Sequence, residues 1–324
     1  MKFFTYLFVT LFITTVFLTG LWFFYGKQLL HSSQINSPIP SFLMLSKNNQ
    51  ATLLDFWLPM VKQIQGSSGA LPDLTAQSVL MYDLTDNKVL YEKDPYVRRP
   101  MASLTKIMTA IIALENPKPD DRYIVTKNDM VTGDLMGVTP GEVYSLQDLL
   151  YGLVLHSAND AAEVLASNYP GGRSAFIKAM NNKAKALGML NTNYTNPSGL
   201  QGDGNQYTTT YDLLIVTRYA LKHYPLFAKV VSTVTYKIPA TNEHKEIDLS
   251  NETNLLTSYP GVIGVKDGYT PEAGLCLVTL LNYGGHKIIG IILNNQERRG
   301  DMKTLLDYSL KSVAVSPPPY HAGQ

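Results

Sequence analysis

Two long apolar runs near the C-terminal end constrain the fold of this chain most strongly. Residues 275–281 and 287–293 are almost entirely apolar, and residues 282–286 between them read Asn-Tyr-Gly-Gly-His. Two such runs joined by a glycine-containing turn predict a β-hairpin. Because the runs show little polar alternation, we expect this hairpin to belong to a buried sheet.

A second strand pair and a helical middle precede this hairpin. Residues 77–84 and 89–91 flank a Thr-Asp-Asn-Lys turn and predict a first hairpin, and residues 123–125 suggest a short strand. Helical patterns occupy residues 103–115, 145–155, 160–166, 174–187, 209–221 and 302–311. The order of strands, helices, strands and a final helix predicts an α+β domain whose two ends share one sheet.

The N-terminal segment predicts attachment to a membrane. Residues 3–25 contain no ionisable group except tyrosine, and about 23 such residues can cross a bilayer core. The segment 1–27 is a membrane anchor or a signal segment, and the lack of an Ala-x-Ala-like cleavage site favours an uncleaved anchor. We therefore expect a cell-membrane protein whose main domain is extracytoplasmic, on the periplasmic or cell-wall side.

The remaining boundaries follow from composition. Residues 28–75 are rich in Ser, Asn, Gln and Pro and predict a linker. Its apolar patch at 53–58 is either a short helix lying against the membrane or the domain, or locally structured linker. The predicted domain spans 76–312, and 313–324 is a loose tail.

Composition excludes several classes of function. The chain carries 27 Lys and Arg against 26 Asp and Glu, so no nucleic-acid partner is indicated. Its one cysteine, Cys276, lies within an apolar run and predicts a core residue, and it excludes an intramolecular disulfide. The six histidines form no metal-binding motif and no glycine-rich phosphate loop is present, so we expect neither a metal nor a cofactor.

A Ser-Leu-Thr-Lys sequence at 103–106 leads into the apolar run 107–114. With Pro100 just upstream, this pattern predicts that Ser103 lies in the first turn of a helix and that Lys106 lies one turn further on. Residues three apart share a helix face, so the hydroxyl and the amine can meet as a nucleophile and a base. A helix start also presents free backbone N–H groups to a developing oxyanion.

Two further motifs follow in order. Ser157 and Asn159 occupy a polar turn between two predicted helices, where buried polar side chains need partners. Lys266, Asp267 and Gly268 precede the final hairpin, and they offer a second cation and a glycine that lets another backbone approach closely.

These three motifs together resemble those of the penicillin-binding proteins and class A β-lactamases. The likeness is closest to the D-alanyl-D-alanine carboxypeptidase family of low-molecular-mass penicillin-binding proteins and covers about residues 77–311, with supporting phrases at 101–109, 156–162, 196–200 and 268–274. A class A β-lactamase fits less well, because the middle motif reads Ser-Ala-Asn and no clear counterpart of the deacylating glutamate loop is found. The resemblance implies a β-lactamase/penicillin-binding-protein-like transpeptidase fold, with an antiparallel sheet flanked by helices.

The resemblance also implies the catalytic roles. Ser103 would be acylated, and Lys106 would take its proton, helped by burial and by the nearby cation Lys266, which both lower the pKa of the amine. Ser157 would relay the proton to the leaving amine. Asn159 would hold Lys106 and the substrate amide.

The implied substrate is a peptidoglycan stem peptide ending in D-Ala-D-Ala, and β-lactams would acylate the same serine. The backbone N–H groups of Ser103 and Tyr269 would form the oxyanion hole. Asp267, Gly268 and Thr270 would contact the substrate. No cofactor is implied.

One position departs from the family pattern. The family has threonine or serine where this chain has Asp267, and that hydroxyl helps to receive the terminal carboxylate of the substrate. A second carboxylate about 4 Å away would cost up to about 4 kcal/mol at an effective dielectric near 20, or roughly three decades in binding. We therefore expect Asp267 to depress carboxypeptidase activity.

Three explanations for the aspartate stay open at this point. Asp267 could be protonated and donate a hydrogen bond, or the substrate could lack a free carboxylate there, as in a cross-link cut by an endopeptidase. Catalysis could also be lost. The chain would then be a non-catalytic homologue that binds peptidoglycan or penicillin.

Overall fold

The structure is a computed structural model that describes residues 57–59, 72–200, 205–253 and 255–319. Its elements, in chain order, are β1 (Ser78–Asp83), β2 (Lys88–Lys93), α1 (Lys106–Glu115), β3 (Tyr123–Ile124), β4 (Val143–Tyr144), α2 (Leu146–Leu155), α3 (Asn159–Ser167), α4 (Gly172–Ala186), α5 (Thr210–His223), α6 (Pro225–Val231), β5 (Thr235–Ile238), β6 (Ile247–Ser250), α7 (Leu255–Ser258), β7 (Val262–Thr270), β8 (Gly274–Tyr283), β9 (His286–Asn295) and α8 (Arg298–Ser312). Two 3-10 turns, Ala102–Thr105 and Lys127–Asp129, precede α1 and follow β3.

A five-stranded antiparallel sheet joins the two ends of the described chain. Its strand order is β2-β1-β9-β8-β7, so the first strand pairs directly with the last. The β8–β9 turn contains Gly284 and Gly285, both with positive φ, as a tight hairpin requires. The predicted α+β fold, with one sheet built from both ends, is confirmed.

Both faces of the sheet are buried, and they contact different groups of helices. Leu80 and Tyr82 of β1 belong to a large apolar cluster that includes residues of α1 to α6. Val79 and Met81, which point to the opposite face, belong to a smaller cluster completed by α8. Apolar side chains are therefore needed at almost every position of the central strands, which explains the continuous runs in the sequence.

Cys276 lies in the larger cluster and is fully buried, as predicted. Burial raises the pKa of its thiol to about 11. The thiol is therefore neutral at physiological pH, and Cys276 serves as a small apolar residue.

The predicted helix around Ser103 begins one turn later than expected. Ser103 lies in the 3-10 turn Ala102–Thr105, and the α-helix begins at Lys106. Ala102 has a φ of 46°, a left-handed conformation that is incompatible with an α-helix. The Leu104 N–H accordingly donates to the Met101 carbonyl oxygen at 3.2 Å, three residues back.

The strands β5 and β6 and the helix α6 were not predicted. Ile238 is the one fully buried residue of β5, and its partner β6 alternates between buried and exposed residues over four positions. Such short elements carry too few apolar residues to produce a clear period in the sequence.

The packed structure extends into the predicted linker 28–75. The Trp57 ring meets the Tyr82 ring edge to face, with ring centroids 5.4 Å apart, and the Arg218 guanidinium lies 4.3 Å from the Trp57 ring centroid. The apolar patch that begins at 53 therefore contacts the domain at Trp57. The rest of that patch lies largely outside the described residues.

The chain after α8 also contacts the domain. The Val315 N–H donates to the Leu310 carbonyl oxygen at 2.9 Å, and Val313 and Val315 pack against the smaller cluster. The predicted loose tail at 313–324 is therefore attached at its beginning. Residues 320–324 lie outside the described part.

The predicted membrane segment at 3–25 lies outside the described residues as well. Within the ranges that the structure describes, none of the helices has both the length and the apolar composition needed to cross a bilayer.

Asp301 ties the start of the domain to its last helix. One of its carboxylate oxygens accepts hydrogen bonds from the backbone N–H groups of Thr75 and Ala76, at 2.8 and 3.1 Å, and from the Asn295 side chain at 2.6 Å. The Thr75 hydroxyl donates to the same oxygen at 2.9 Å. A buried carboxylate with several donors is costly to remove, because its partners lose their acceptor.

We expect Asp301→Ala to lower the free energy of unfolding by about 2 to 4 kcal/mol, since it leaves backbone donors unsatisfied. Urea denaturation followed by circular dichroism measures this change. Asp248→Ala is the matched control, because the Asp248 side chain is 76% exposed and its 3.7 Å ion pair with Lys237 is solvated. Equal midpoints for the two variants would contradict the prediction.

Candidate active site

The turn that carries Ser103 places its side chain directly beside Lys106. Thr105 stabilises this turn, because its hydroxyl donates to the Ala102 carbonyl oxygen at 2.9 Å. Lys106 is the first residue of α1, and its Nζ lies 2.8 Å from Ser103 Oγ. The contact between hydroxyl and amine predicted from the Ser-x-x-Lys spacing is present.

Lys106 is fully buried and is surrounded by oxygen atoms. Its Nζ donates to Ser103 Oγ at 2.8 Å, to Asn159 Oδ1 at 2.8 Å and to the Ser198 carbonyl oxygen at 2.6 Å. These three acceptors come from distant parts of the chain. An ammonium group can donate to all three, and a neutral amine can donate to two and direct its lone pair at the third, so the position of Nζ is fixed in either form.

The environment of Lys106 favours its neutral form. Burial, and next the positive charge of Lys266, lower the pKa of Lys106 well below its ordinary value, although Asp134, Asp267 and Glu252 act in the opposite direction. A neutral amine has a lone pair, so it can accept the proton that Ser103 would lose during attack on a carbonyl. This arrangement suits a lysine that acts as a general base.

Ser157 lies in the turn between α2 and α3, and Asn159 is the first residue of α3. Ser157 is buried and has a φ of 54°, a left-handed conformation that is uncommon for serine. Asn159 is fixed through its backbone, whose N–H donates to the Asp134 carbonyl oxygen at 2.7 Å, and through its side chain, whose Nδ2 donates to the Thr132 carbonyl oxygen at 2.9 Å. Asn159 Oδ1 is thereby directed at Lys106.

The loop at 196–200 contributes a site residue that sequence reasoning missed. The Ser198 carbonyl oxygen accepts from Lys106, and the Asn196 side chain shapes the loop by accepting from the Gly199 N–H and donating to the Leu200 carbonyl oxygen, both at 2.7 Å. The Asn-Pro-Ser-Gly sequence is a turn signal. This signal locates the loop, but it does not indicate that the Ser198 carbonyl oxygen contacts Lys106.

Gly199 lies in close contact with the turn that carries Ser103. It has a φ of 89°, and a Cβ atom there would lie 2.0 Å from the Ala102 carbonyl oxygen. Only glycine combines this backbone conformation with this approach. The loop at 196–200 and the Ser103 turn are therefore packed backbone to backbone.

The strand β7 passes the Ser103 turn on another side. A Cβ atom at Gly268 would lie 2.8 Å from the Ser103 backbone nitrogen, so the predicted need for a glycine at a close approach is confirmed. Tyr269, the next residue, is 61% exposed. The Thr270 hydroxyl accepts from the Ala273 N–H at 3.1 Å and thus caps the β7–β8 turn.

Asp267 forms ion pairs with two cations. Its Oδ1 accepts from Lys266 Nζ at 3.0 Å, and its Oδ2 accepts from Arg298 Nη2 at 2.7 Å. Arg298 also donates through Nη1 to the Gly268 carbonyl oxygen at 3.1 Å. The side chains of Lys266 and Asp267 are 1% and 8% exposed, so water screens the first of these ion pairs poorly.

Asp267 is held in its ionised form. Burial acts to raise its pKa, but the charges of Lys266 and Arg298 outweigh burial and hold the pKa of this carboxyl below its ordinary value. A protonated Asp267 that donates a hydrogen bond was one explanation left open by the sequence. The environment of the carboxyl disfavours it.

Arg298 was also missed from the sequence. It is the first residue of α8, where the helix dipole disfavours a positive side chain. The predicted final helix 302–311 begins four residues later, so the sequence pattern carries no sign that Arg298 has another partner. The sequence gives no indication that this partner is Asp267, because the two residues are joined only by the fold.

A cluster with potential metal ligands lies elsewhere. Asp83, Asp86 and His286 have ligand atoms within 4.8 Å of one another, and His286 Nδ1 is 2.6 Å from Asp83 Oδ2. The strand register places this cluster at the opposite end of the sheet from Gly268. It takes no part in the chemistry at Ser103, and its contacts are those of a buried carboxylate paired with an imidazole.

Comparisons with known proteins identify the family of this chain. The S11 peptidase family model, described as D-alanyl-D-alanine carboxypeptidase, matches residues 65–297. The chain is 32% identical over 251 residues to D-alanyl-D-alanine carboxypeptidase DacF of Bacillus subtilis, covering 75% of this chain and 64% of DacF. It is 34% identical to a D-alanyl-D-alanine endopeptidase of Escherichia coli, covering 69% of this chain and 73% of that protein.

A solved structure shares the fold. The Streptomyces K15 DD-transpeptidase superposes with a TM-score of 0.70 at 31% sequence identity, covering 75% of this chain and all of that one. The resemblance inferred from the three motifs and the transpeptidase-like fold are thus both confirmed. The chain belongs to the D-alanyl-D-alanine carboxypeptidase family of serine peptidases.

Proposed function

We propose that this chain is a serine D-Ala-D-Ala peptidase that forms an acyl-enzyme on Ser103 with peptidoglycan stem peptides. One observation carries the proposal. Lys106 is fully buried, its pKa is lowered, and its Nζ lies 2.8 Å from Ser103 Oγ. Membership of the D-alanyl-D-alanine carboxypeptidase family supports the assigned substrate.

The reaction would proceed in two steps. Neutral Lys106 takes the proton of Ser103 as Oγ attacks the carbonyl carbon of the penultimate D-alanine. The C–N bond then breaks, and the leaving amine receives a proton through Ser157 while Ser103 becomes an ester. Water hydrolyses this ester in the second step, which releases the shortened peptide and restores the serine hydroxyl.

The other predicted site residues would support these steps. Asn159 orients Lys106 through the 2.8 Å contact and would bind the substrate amide. The backbone N–H groups of Ser103 and Tyr269 would stabilise the oxyanion. Because β7 is the outer strand of the five-stranded sheet and Gly268 lies against the Ser103 turn, the substrate would bind along β7 as an additional strand.

The same chemistry would serve two classes of substrate. A carboxypeptidase releases a terminal D-alanine, whereas an endopeptidase releases a residue that belongs to a cross-link. Relatives of both names are similar to this chain. The ionised Asp267 specifically favours the endopeptidase as the second candidate, because its negative charge already occupies Lys266 and Arg298, the two cations that could bind a free terminal carboxylate.

A non-catalytic homologue that binds peptidoglycan is the weaker alternative. A binding protein gains nothing from a buried lysine whose ammonium form is disfavoured, because that burial lowers stability without improving recognition. The burial and the lowered pKa of Lys106 therefore favour catalysis.

We also propose that residues 3–25 anchor the chain in the cell membrane and that the peptidase domain is extracytoplasmic. The apolar sequence of this segment supports the anchor. Peptidoglycan, the proposed substrate, lies outside the cytoplasm, which supports the location of the domain.

Exposure to a large excess of benzylpenicillin should give a covalent adduct on Ser103, because β-lactams present a reactive amide to the same nucleophile. Intact mass spectrometry measures the adduct. We expect no adduct in Ser103→Ala and full occupancy in the matched control Ser232→Ala, since Ser232 is exposed and lies at the end of α6. A wild-type chain without adduct at any concentration would contradict the proposed function.

The rate of acylation should depend on pH through Lys106. The base must be neutral, so the rate should fall as pH falls through the lowered pKa of Lys106 and should be constant above it. The plateau should therefore begin well below about pH 10, the ordinary pKa of lysine. Acylation rates measured by mass spectrometry between pH 5 and 10 test this.

Lys106→Arg provides the control for this profile, because a guanidinium stays protonated across the range. We expect it to acylate at least about a hundredfold more slowly and without the acid limb. A wild-type rate that rises tenfold per pH unit up to pH 10 would be inconsistent with a base of lowered pKa.

The full chain should sediment with membranes and should be released by detergent but not by alkaline carbonate. Ile13→Arg places a charge in the middle of the apolar segment at a cost of about 3 kcal/mol, so it should reduce the membrane-bound fraction. Immunoblots of cell fractions measure this distribution. Protease added to spheroplasts should degrade the domain, and full protection would refute an extracytoplasmic location.

A further inference from the structure

The corner of the active site where β7 meets α8 contains two cations and an internal carboxylate. Lys266 and Arg298 each donate to one oxygen of Asp267, at 3.0 and 2.7 Å. Converging cations of this kind form an anion-binding site in many proteins. Here the chain itself supplies the anion.

The Asp267 carboxylate cannot readily move aside. Its side chain is 8% exposed, and both of its oxygens are engaged. Arg298 is held in turn by the Gly268 carbonyl oxygen at 3.1 Å. An incoming carboxylate would therefore meet an occupied site.

This corner lies beside the nucleophile. Gly268 directly follows Asp267, and a Cβ atom at Gly268 would lie 2.8 Å from the Ser103 backbone nitrogen. The oxyanion of a substrate must approach that nitrogen. The Asp267 carboxylate accepts from Lys266 Nζ at 3.0 Å, and its charge acts on Lys106. That charge therefore also acts on a substrate bound at Ser103.

Other carboxylates oppose an anionic substrate as well. Glu252 is exposed, and it approaches the imidazole of His156, the residue before Ser157, at 3.5 Å. The charges of Glu252, Asp134 and Asp267 all act on Lys106. The ionised Asp267 thus offsets one of the two positive charges of Lys266 and Arg298 before any substrate binds.

We propose that Asp267 makes the Ser103 site select peptides whose leaving residue carries no free carboxylate, and that it disfavours those ending in a free D-alanine. The preferred class has this carboxylate blocked as an amide, or has a leaving residue that is joined through a side-chain amine, as in a cross-link. The acyl transfer itself is unchanged. This inference rests on the proposed function, since it concerns the specificity of the same site.

Two peptides that differ only in the leaving residue test the proposal. They are diacetyl-L-Lys-D-Ala-D-Ala and the same peptide ending in D-alanine carboxamide. The full chain and its Asp267→Thr and Asp267→Asn variants are compared by kcat/KM for both peptides. Asp267→Asn keeps the size of the side chain and removes its charge.

We expect the wild type to hydrolyse the carboxamide faster than the free acid. Asp267→Thr should shift the ratio toward the free acid by on the order of a hundred- to a thousandfold, the range set by one carboxylate at about 4 Å. Asp267→Asn should shift it in the same direction. Asp248→Asn, an exposed carboxylate on β6, should leave the ratio as in the wild type.

The same ratio in the wild type and in both Asp267 variants would overturn the proposal. A wild-type preference for the free acid would do so too, and this outcome does not depend on whether a variant folds. If no variant hydrolyses either peptide and none forms a penicillin adduct, the proposed function itself fails. Hydrolysis of both peptides with an unchanged ratio would leave that function standing and remove only the role of Asp267.

Discussion

The burial of one amine determines much of this structure. Lys106 loses its hydration inside the domain, and only well-placed acceptors can compensate for that loss. The chain supplies them from the turn before α1, from the first residue of α3, and from the loop at 196–200. These segments are far apart in sequence, so the fold as a whole must form before the lysine is satisfied. Because burial disfavours the ammonium form, the pKa of Lys106 is lowered, and the neutral amine can accept a proton from Ser103.

Backbone contacts of unusual closeness bring these segments together. Gly199 and Gly268 each place a chain segment against the Ser103 turn at a distance that a side chain would prevent. The turn itself uses left-handed conformations at Ala102, and the α2–α3 turn uses one at Ser157. Strained residues of this kind persist where surrounding packing fixes them, and they commonly occur at functional sites. The sheet provides that packing because both of its faces are covered.

The sequence was informative where chemistry is local and less so where it depends on tertiary contact. The spacing of Ser103 and Lys106 predicted their contact, because three residues are one helical turn even though that turn is of the 3-10 type. The two terminal hairpins were predicted from apolar runs. In contrast, the Ser198 carbonyl carries no side-chain signature, and the pairing of Arg298 with Asp267 joins residues 31 apart. Trp57 likewise falls in the predicted linker 28–75, because nothing in the local sequence indicates its contacts with Tyr82 and Arg218.

The contact between Gly199 and Ala102 limits how this site can change during evolution. A side chain at 199 would strike a carbonyl oxygen rather than another side chain. Every amino acid carries that oxygen, so no replacement at 102 can make room for it. In an apolar core, a smaller neighbouring side chain can relieve a packing clash. A clash between a side chain at 199 and the backbone at 102 cannot be relieved in this way, so a substitution at 102 cannot act as a second-site suppressor. Descendants of this chain that keep the fold of both turns must keep the glycine.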